Sequence, residues 1–449
     1  DYILEKYTEA KIPEQTLDVI FKNEEQFLGN ENGQTKCEDL MFPFSRSPLK
    51  NVAIKNSKNL LESKINSMHT KDISEITLDI KDLKDIEWQP GDTIAILPTN
   101  DKDSVDELLL LFNLESKADT ICSVQISKLC TKKSAKVPVY IPKLTTPREI
   151  IRDCLNIKSI LKKTFIRSLA EHCTDTEEKT FLKCLSSKEG SAFYNELIME
   201  KGFTLTDILK HCHSCKPPFG LIVEHLTRLL PRPYSIANSP LKSTDEITLI
   251  FSTLNTKPGV TTNMLKEKIT EESASILMYF REPNYFRYTE DNYEQNQVLI
   301  AIGTGLAPFL GFLQHKQHMM TTEENGKPGT TWLFVGTTSE QAVIHRDLLL
   351  QWQSKNVLNN FVESYSRVPN ARYHYVQESL ECNAQQLVQL LMKPETTIYL
   401  CADGGEISKS IEKTLHNIMV KELAITDEES VEMMKDFKAK RKYREDIWL

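Results

Sequence analysis

Between residues 50 and 100 the stretches "LKNVAIKN", "SEITLDI" and "GDTIAIL" alternate apolar and polar side chains. That is the period of half-buried strands, and "QPGD" supplies a turn among them. From about 103 to 228 the apolar spacing lengthens to that of amphipathic helices, as in "SVDELLLLFNLE" and "EHLTRLL". Strands resume with "YSIAN" and "EITLIFSTL", so the helical block reads as an insertion that interrupts a β domain. Ahead of the first strands, residues 1–45 are polar, contain "GNENGQTKCED" and read as a leader or linker.

A third texture follows "EPNYFRYTEDNYEQNQ". "VLIAI" reads as a short buried strand, "GTG" as a tight turn and "LAPFLGFLQHKQHM" as a helix. "TTWLFVG" and "TTIYLCA" are further strands, the second leading into the helix "EISKSIEKTLHNIMVKEL". In that helix Ile407, Ile411, Leu415, Ile418 and Met419 share one apolar face. Near-continuous apolar strands alternating with helices predict a parallel sheet covered on both faces.

Composition narrows the classes. The chain has 449 residues, 40% hydrophobic and 26% charged, with a net charge of −8. This describes a soluble globular protein and argues against a nucleic-acid binder, which needs a basic surface. The exception, "KDFKAKRKYR" at 435–444, reads either as a solvated helix face or as a dock for an acidic partner. No apolar run approaches the roughly 20 residues of a spanning helix, so no membrane partner is expected. Ten cysteines are scattered without a disulfide framework, which favours reduced thiols and a cytoplasmic location. "HCHSC" at 211–215 lacks the second ligand pair of a closed zinc site, so helix-end residues are the reading and no metal is expected.

Three stretches are candidates for chemistry. In "AIGTGLAPF" (301–309) glycines between a strand and a helix either admit a dinucleotide phosphate or only pack the two elements together. "RPYSIANSP" (232–240) offers Arg232 for a phosphate, Tyr234 for a flat ring and Ser235 as a donor, or else a plain strand. "KPGVTTNML" (257–265) puts Gly259 before a helix beginning near Thr262, suited to cradling a phosphate or simply to a cap.

In this order, with "YLCADGG" and a chain end "DIW", these stretches resemble the ferredoxin–NADP reductase module of the diflavin reductases over about residues 45–449. The resemblance implies an antiparallel β-barrel FAD domain (46–102 and 229–290) split by a helical connecting domain (103–228). A Rossmann-like parallel α/β NADPH domain (291–449) would follow, closing on a C-terminal Trp lid. It implies FAD held by Arg232, Tyr234, Ser235, Gly259, Val260, Thr261 and Thr262, with Trp448 covering the flavin face opposite Tyr234. NADPH would meet Gly303, Thr304, Gly305, Pro308 and Asp403, with Ser366, Arg367, Tyr375 and Gln377 around its 2′-phosphate. Ser235, Cys401, Asp446 and Trp448 would line the hydride path.

Two departures fall on the NADPH side. "AIGTG" puts Ala301 and Ile302 where the family has Gly-Pro, and "FVGTTSEQA" lacks the family's Cys-Arg. Residues 1–45 are too short for the flavodoxin-like FMN domain that such modules serve, so a longer parent is expected to carry it as partner. "KPPFGLIVEHLTRLLPRPYS", "APFLGFLQH" and "REDIWL" most resemble the branch whose electrons reactivate cobalamin-dependent methionine synthase. The alternatives are a branch serving a haem or sulfite-reducing partner, or a degenerate dinucleotide fold kept as a binding or chaperone module.

Overall fold

The computed structural model describes residues 6–22, 42–61, 71–83, 85–254, 259–321 and 326–448. The chain divides into two compact units, one of Asp1–Pro43 with Leu97–Pro231 and one of Phe44–Ile96 with Arg232–Leu449.

The first unit is helical, as its periodicity predicts. Val105, Leu108 and Leu109 of the helix Lys102–Leu111 are buried in a core shared with Phe165, Ile166 and Leu169 of the helix Lys163–Ala170. Asp101 caps the first of these through the Ser104 amide at 2.9 Å. Part of the stretch read as a leader belongs to this unit. "LDVIF" forms β1 (Leu17–Phe21), which pairs antiparallel with β5 (Cys122–Ile126). Leu17 is buried in the helical core, and that anchor is what a polar-looking leader conceals.

The second unit contains two sheets. The antiparallel one has six strands: β2 (Lys50–Leu61), β3 (Lys71–Asp79), β4 (Thr93–Ile96), β6 (Arg232–Ser235), β7 (Glu246–Leu254) and β8 (Ser275–Phe280). Their order is β6-β4-β8-β2-β3-β7. Just past β6 the Ala237 amide donates to Thr248 O of β7 at 2.8 Å, so the two ends of the order curl together as in a barrel. Ile76, Leu78, Ile94 and Met278 share one buried core.

The parallel sheet has β9 (Asn296–Ile302), β10 (Thr331–Thr337), β11 (Asn360–Tyr365), β12 (Thr396–Asp403) and β13 (Tyr443–Trp448), in the order β11-β10-β9-β12-β13. One face carries Leu299, Ala301, Tyr399 and Cys401; the other carries Val298, Ile300, Ile398 and Leu400 against Ile411, Leu415, Ile418 and Met419. Burial on both faces is why these strands read as unbroken apolar runs. The linking stretch is anchored by Phe286, whose ring meets Tyr399 edge-on at 5.4 Å.

Candidate functional site at the carboxyl ends of the parallel strands

β9 has β10 on one side and β12 on the other, so the chain order reverses at β9. Ligands of open parallel sheets lie beyond the carboxyl ends of the strands at such a point. A cleft of about 580 Å³ opens there, lined by Gly303, Thr304, Ser366, Arg367, Tyr375, Gln377 and Asp403. Lys71 and Ile73 of β3 close it from the antiparallel sheet. Seven of the nine residues expected at NADPH therefore meet at one cavity.

The glycines of the β9 turn divide their work. Gly303 has φ +58° with nothing within 4 Å of a notional Cβ, leaving open space for a ligand beside it. A Cβ on Gly305 would lie 2.2 Å from Cys401 O, so this glycine lets the turn press on β12. Gly305 and Pro308 are both buried, Pro308 in the first turn of the helix Ala307–Met319. Both were expected to meet NADPH, and neither lines the cleft. The Ala301 and Ile302 departure is accommodated because β9 simply runs on through Ile302.

Ser366 and Arg367 follow β11 directly, and their amides donate to Thr337 O at 2.9 Å and Thr338 O at 3.0 Å. Gln377 Nε2 donates to Ser410 Oγ at 2.9 Å, tying this rim to the helix Gly405–Leu423. Sequence reasoning missed Lys71, whose ammonium lies 3.5 Å from Asp403, and also Glu406 and Ser410 at the start of that helix. The "GG" after β12 was the available signal. Gly404 has φ +91°, and neither it nor Gly405 would place a Cβ within 4 Å of other atoms.

At the other candidate site, Arg232 is exposed and Tyr234 half-buried on β6, with the Tyr234 ring 6.5 Å from Phe251 at 75°. Burial raises the Tyr234 phenol above its usual range, which keeps it a neutral ring. The next helix begins at Val260, two residues ahead of expectation, with Gly259 as its N-cap. Gly259 has no side chain to bond the first amides, so the helix start is free to take an anion. Val260 and Thr262 are half-buried, and Thr262 Oγ donates to Gly259 O at 3.2 Å. Thr261 is turned into the core, so only its amide can serve. An exposed guanidinium, an aromatic face and an uncapped helix start fit a flavin dinucleotide. The open glycines and Arg367 of the cleft fit a phosphorylated nicotinamide dinucleotide.

The four residues expected on the hydride path converge. Ser235 Oγ donates to Asp446 Oδ2 at 3.0 Å, and Trp448 Nε1 donates to the same oxygen at 3.2 Å. Cys401 stands opposite Asp446 in the β12–β13 register. Burial raises the Asp446 pKa, while Ser235, Trp448 and the Arg281 charge oppose that rise. Burial and then the Asp446 charge push the Cys401 thiol well up, so it stays protonated. Trp448 is half-buried, and its backbone oxygen accepts from the Gly404 amide at 2.9 Å.

Comparison with known proteins identifies the two kinds of domain. A model of the FAD binding domain matches residues 42–263, and one of the oxidoreductase NAD-binding domain matches residues 299–405. The chain is 31% identical to methionine synthase reductase of Mus musculus over 420 residues, 86% of this chain and 60% of the relative. It is 30% identical to that of Homo sapiens over 403 residues, 83% of this chain and 58% of the relative. It is also 30% identical to NADPH–cytochrome P450 reductase of Drosophila melanogaster over 373 residues, 80% of this chain and 53% of the relative. The chain thus spans about three fifths of the length of the methionine synthase reductases it matches.

Proposed function

We propose that this chain, which belongs to the diflavin reductases and carries the FAD-binding and NAD-binding domains of their C-terminal module, moves reducing equivalents from NADPH through FAD to a flavodoxin-like FMN domain. The carrying observation is the meeting of Ser235, Cys401, Asp446 and Trp448 between the two sheets. When bound, NADPH supplies a hydride that FAD accepts.

The protein's own residues do the rest. Arg367 and Ser366 take the 2′-phosphate, while Gly303 and Thr304 take the pyrophosphate. Asp446 favours positive charge developing on a nicotinamide ring, and the Cys401 thiol adds a neutral contact. The Ser235 hydroxyl, now on Asp446, can turn to a ring nitrogen. Trp448, whose indole is tied to Asp446, would shield the flavin ring on the side away from Tyr234 and would have to rotate aside for coenzyme.

In the parent protein the electrons would reactivate cobalamin-dependent methionine synthase, a reading supported by the printed names of the mouse and human relatives. The second reading, a reductase serving a cytochrome, is supported by the Drosophila relative. No helix among the described residues is long and apolar enough to cross a membrane, and a cytoplasmic setting is part of the proposal.

The test is the visible spectrum of the purified protein, followed by anaerobic titration. A flavin band near about 450 nm, bleached by NADPH at far lower concentration than by NADH, is the expected result. Absence of the band would reduce the chain to a binding or chaperone module. Reduction of methionine synthase but not of a cytochrome, with an FMN domain supplied, separates the two enzyme readings.

A further inference from the structure

The "HCHSC" stretch has a partner that the sequence could not reveal. The helix Leu205–His211 ends at Cys212, and a turn closed by Cys215 N to Cys212 O at 3.1 Å follows. Beside that turn lies the segment after the helix Lys163–Ala170, which carries Cys173. The two segments are stitched together around the cysteines. Lys216 N donates to His172 O at 3.0 Å, and Asp175 N donates to Ser214 Oγ at 3.0 Å. Glu178 holds the turn from the other side by accepting from Ser214 N at 2.9 Å.

Between these ties the thiols of Cys173 and Cys215 point at one acceptor. Both donate to Leu169 O, at 3.7 and 3.4 Å, so the two sulfurs share one acceptor. Among the described residues no group of three possible ligands could hold a metal here or elsewhere. Neither Cys173 nor Cys215 is in a disulfide. Two thiols on one acceptor, with their flanking segments tied together, are placed where thiol–disulfide chemistry can join them.

We propose that Cys173 and Cys215 form a redox modification site, closing to a disulfide when a hydroperoxide reaches Cys173. Cys173 is 7% exposed and Cys215 1%, so the small oxidant meets Cys173 first. The neighbouring Cys215 thiol, against the opposing effect of burial, holds the Cys173 pKa below its usual range, which favours its thiolate as the attacking group. The Cys173 sulfur attacks one peroxide oxygen, the O–O bond breaks and a sulfenic acid forms as water leaves. The Cys215 sulfur then attacks the sulfenic sulfur, the S–O bond breaks and a second water leaves. Two thiols are thereby oxidised by two electrons, and hydrogen peroxide is reduced to two waters. The bond would lock the segment after one helix to the turn after another, closing a loop over residues 174–214.

The test is hydrogen peroxide treatment of the reduced, full-length chain, thiol blocking, and peptide mapping without reductant. The expected product is one linked peptide pair containing Cys173 and Cys215, two hydrogens lighter and released by dithiothreitol. It should persist in Cys212→Ser and vanish in Cys215→Ser. Both thiols remaining alkylatable after denaturation would overturn the proposal. So would a linkage through Cys212, or oxidation confined to the exposed Cys382. Because the wild-type map decides first, a variant that fails to fold does not protect the idea.

Discussion

Ser235 Oγ donates to Asp446 Oδ2 across 3.0 Å and so joins β6 of the antiparallel sheet to β13 of the parallel sheet. An acceptor held this way is in place before any coenzyme arrives. Asp446→Asn should slow flavin reduction by NADPH on the order of 100-fold in anaerobic stopped-flow. The pH effect has a definite sign. Burial raises the folded-state pKa of Asp446 above its unfolded value. Between the two values the folded state keeps a proton that the unfolded state has lost, so stability falls as pH rises through that window and stays lower above it. The wild type should therefore lose melting temperature relative to Asp446→Asn from about pH 4 upward. A flat difference curve would contradict the buried-carboxylate account.

Trp448 is pinned by its backbone to Gly404 and by its indole to Asp446. Its displacement therefore needs a side-chain rotation and not a swing of the chain end. Trp448→Ala should raise the kcat/KM for NADH relative to NADPH by about 10-fold or more, since the ring that competes with nicotinamide is gone. Lost thermal stability with unchanged coenzyme preference would make the indole a mere anchor.

Arg367 lies on the cleft wall directly after β11. A hydrogen bond to a charged group contributes about 1.5–3 kcal/mol, so Arg367→Ala should raise the KM for NADPH roughly 10- to 100-fold. The KM for NADH, which has no 2′-phosphate, should stay within about twofold. Equal losses with both coenzymes would remove Arg367 from phosphate recognition.

Gly303 and Gly305 should respond differently to one methyl group. Gly305→Ala puts a Cβ 2.2 Å from Cys401 O, so the backbone must shift, at a cost above about 3 kcal/mol in chemical denaturation. Gly303→Ala meets no atom within 4 Å but must hold φ +58°, a strain of about 1–2 kcal/mol. It should fold, bind flavin and bind NADPH more weakly. Reversed stabilities would mean the turn is mis-assigned.

Much of the cleft beyond the parallel strands was legible because its parts sit at strand ends, where apolar runs break into "GTG", "YSR" and "ADGG". What escaped came from elsewhere in the chain. Lys71 reaches Asp403 from β3, and no local pattern announces a contact between residues so far apart. Gly305 and Pro308 carried the motif but lie buried, because a motif does not say which glycine faces the cleft and which faces the next strand. "LDVIF" was hidden inside a polar segment, where five residues of alternation are too few to outweigh their surroundings.

The sequence by itself determined the elements and their textures, since apolar periodicity reports burial residue by residue. It also determined which side chains were available for anions, flat rings and proton-bearing contacts. Only the tertiary structure decided which of them meet. Asp446 gathers Ser235 and Trp448 because β13 lies parallel to β12 and reaches toward β6. Cys215 faces Cys173 because two helix ends are tied side by side. Such meetings depend on strand order and packing, which are properties of the whole chain, and no single stretch of it encodes them.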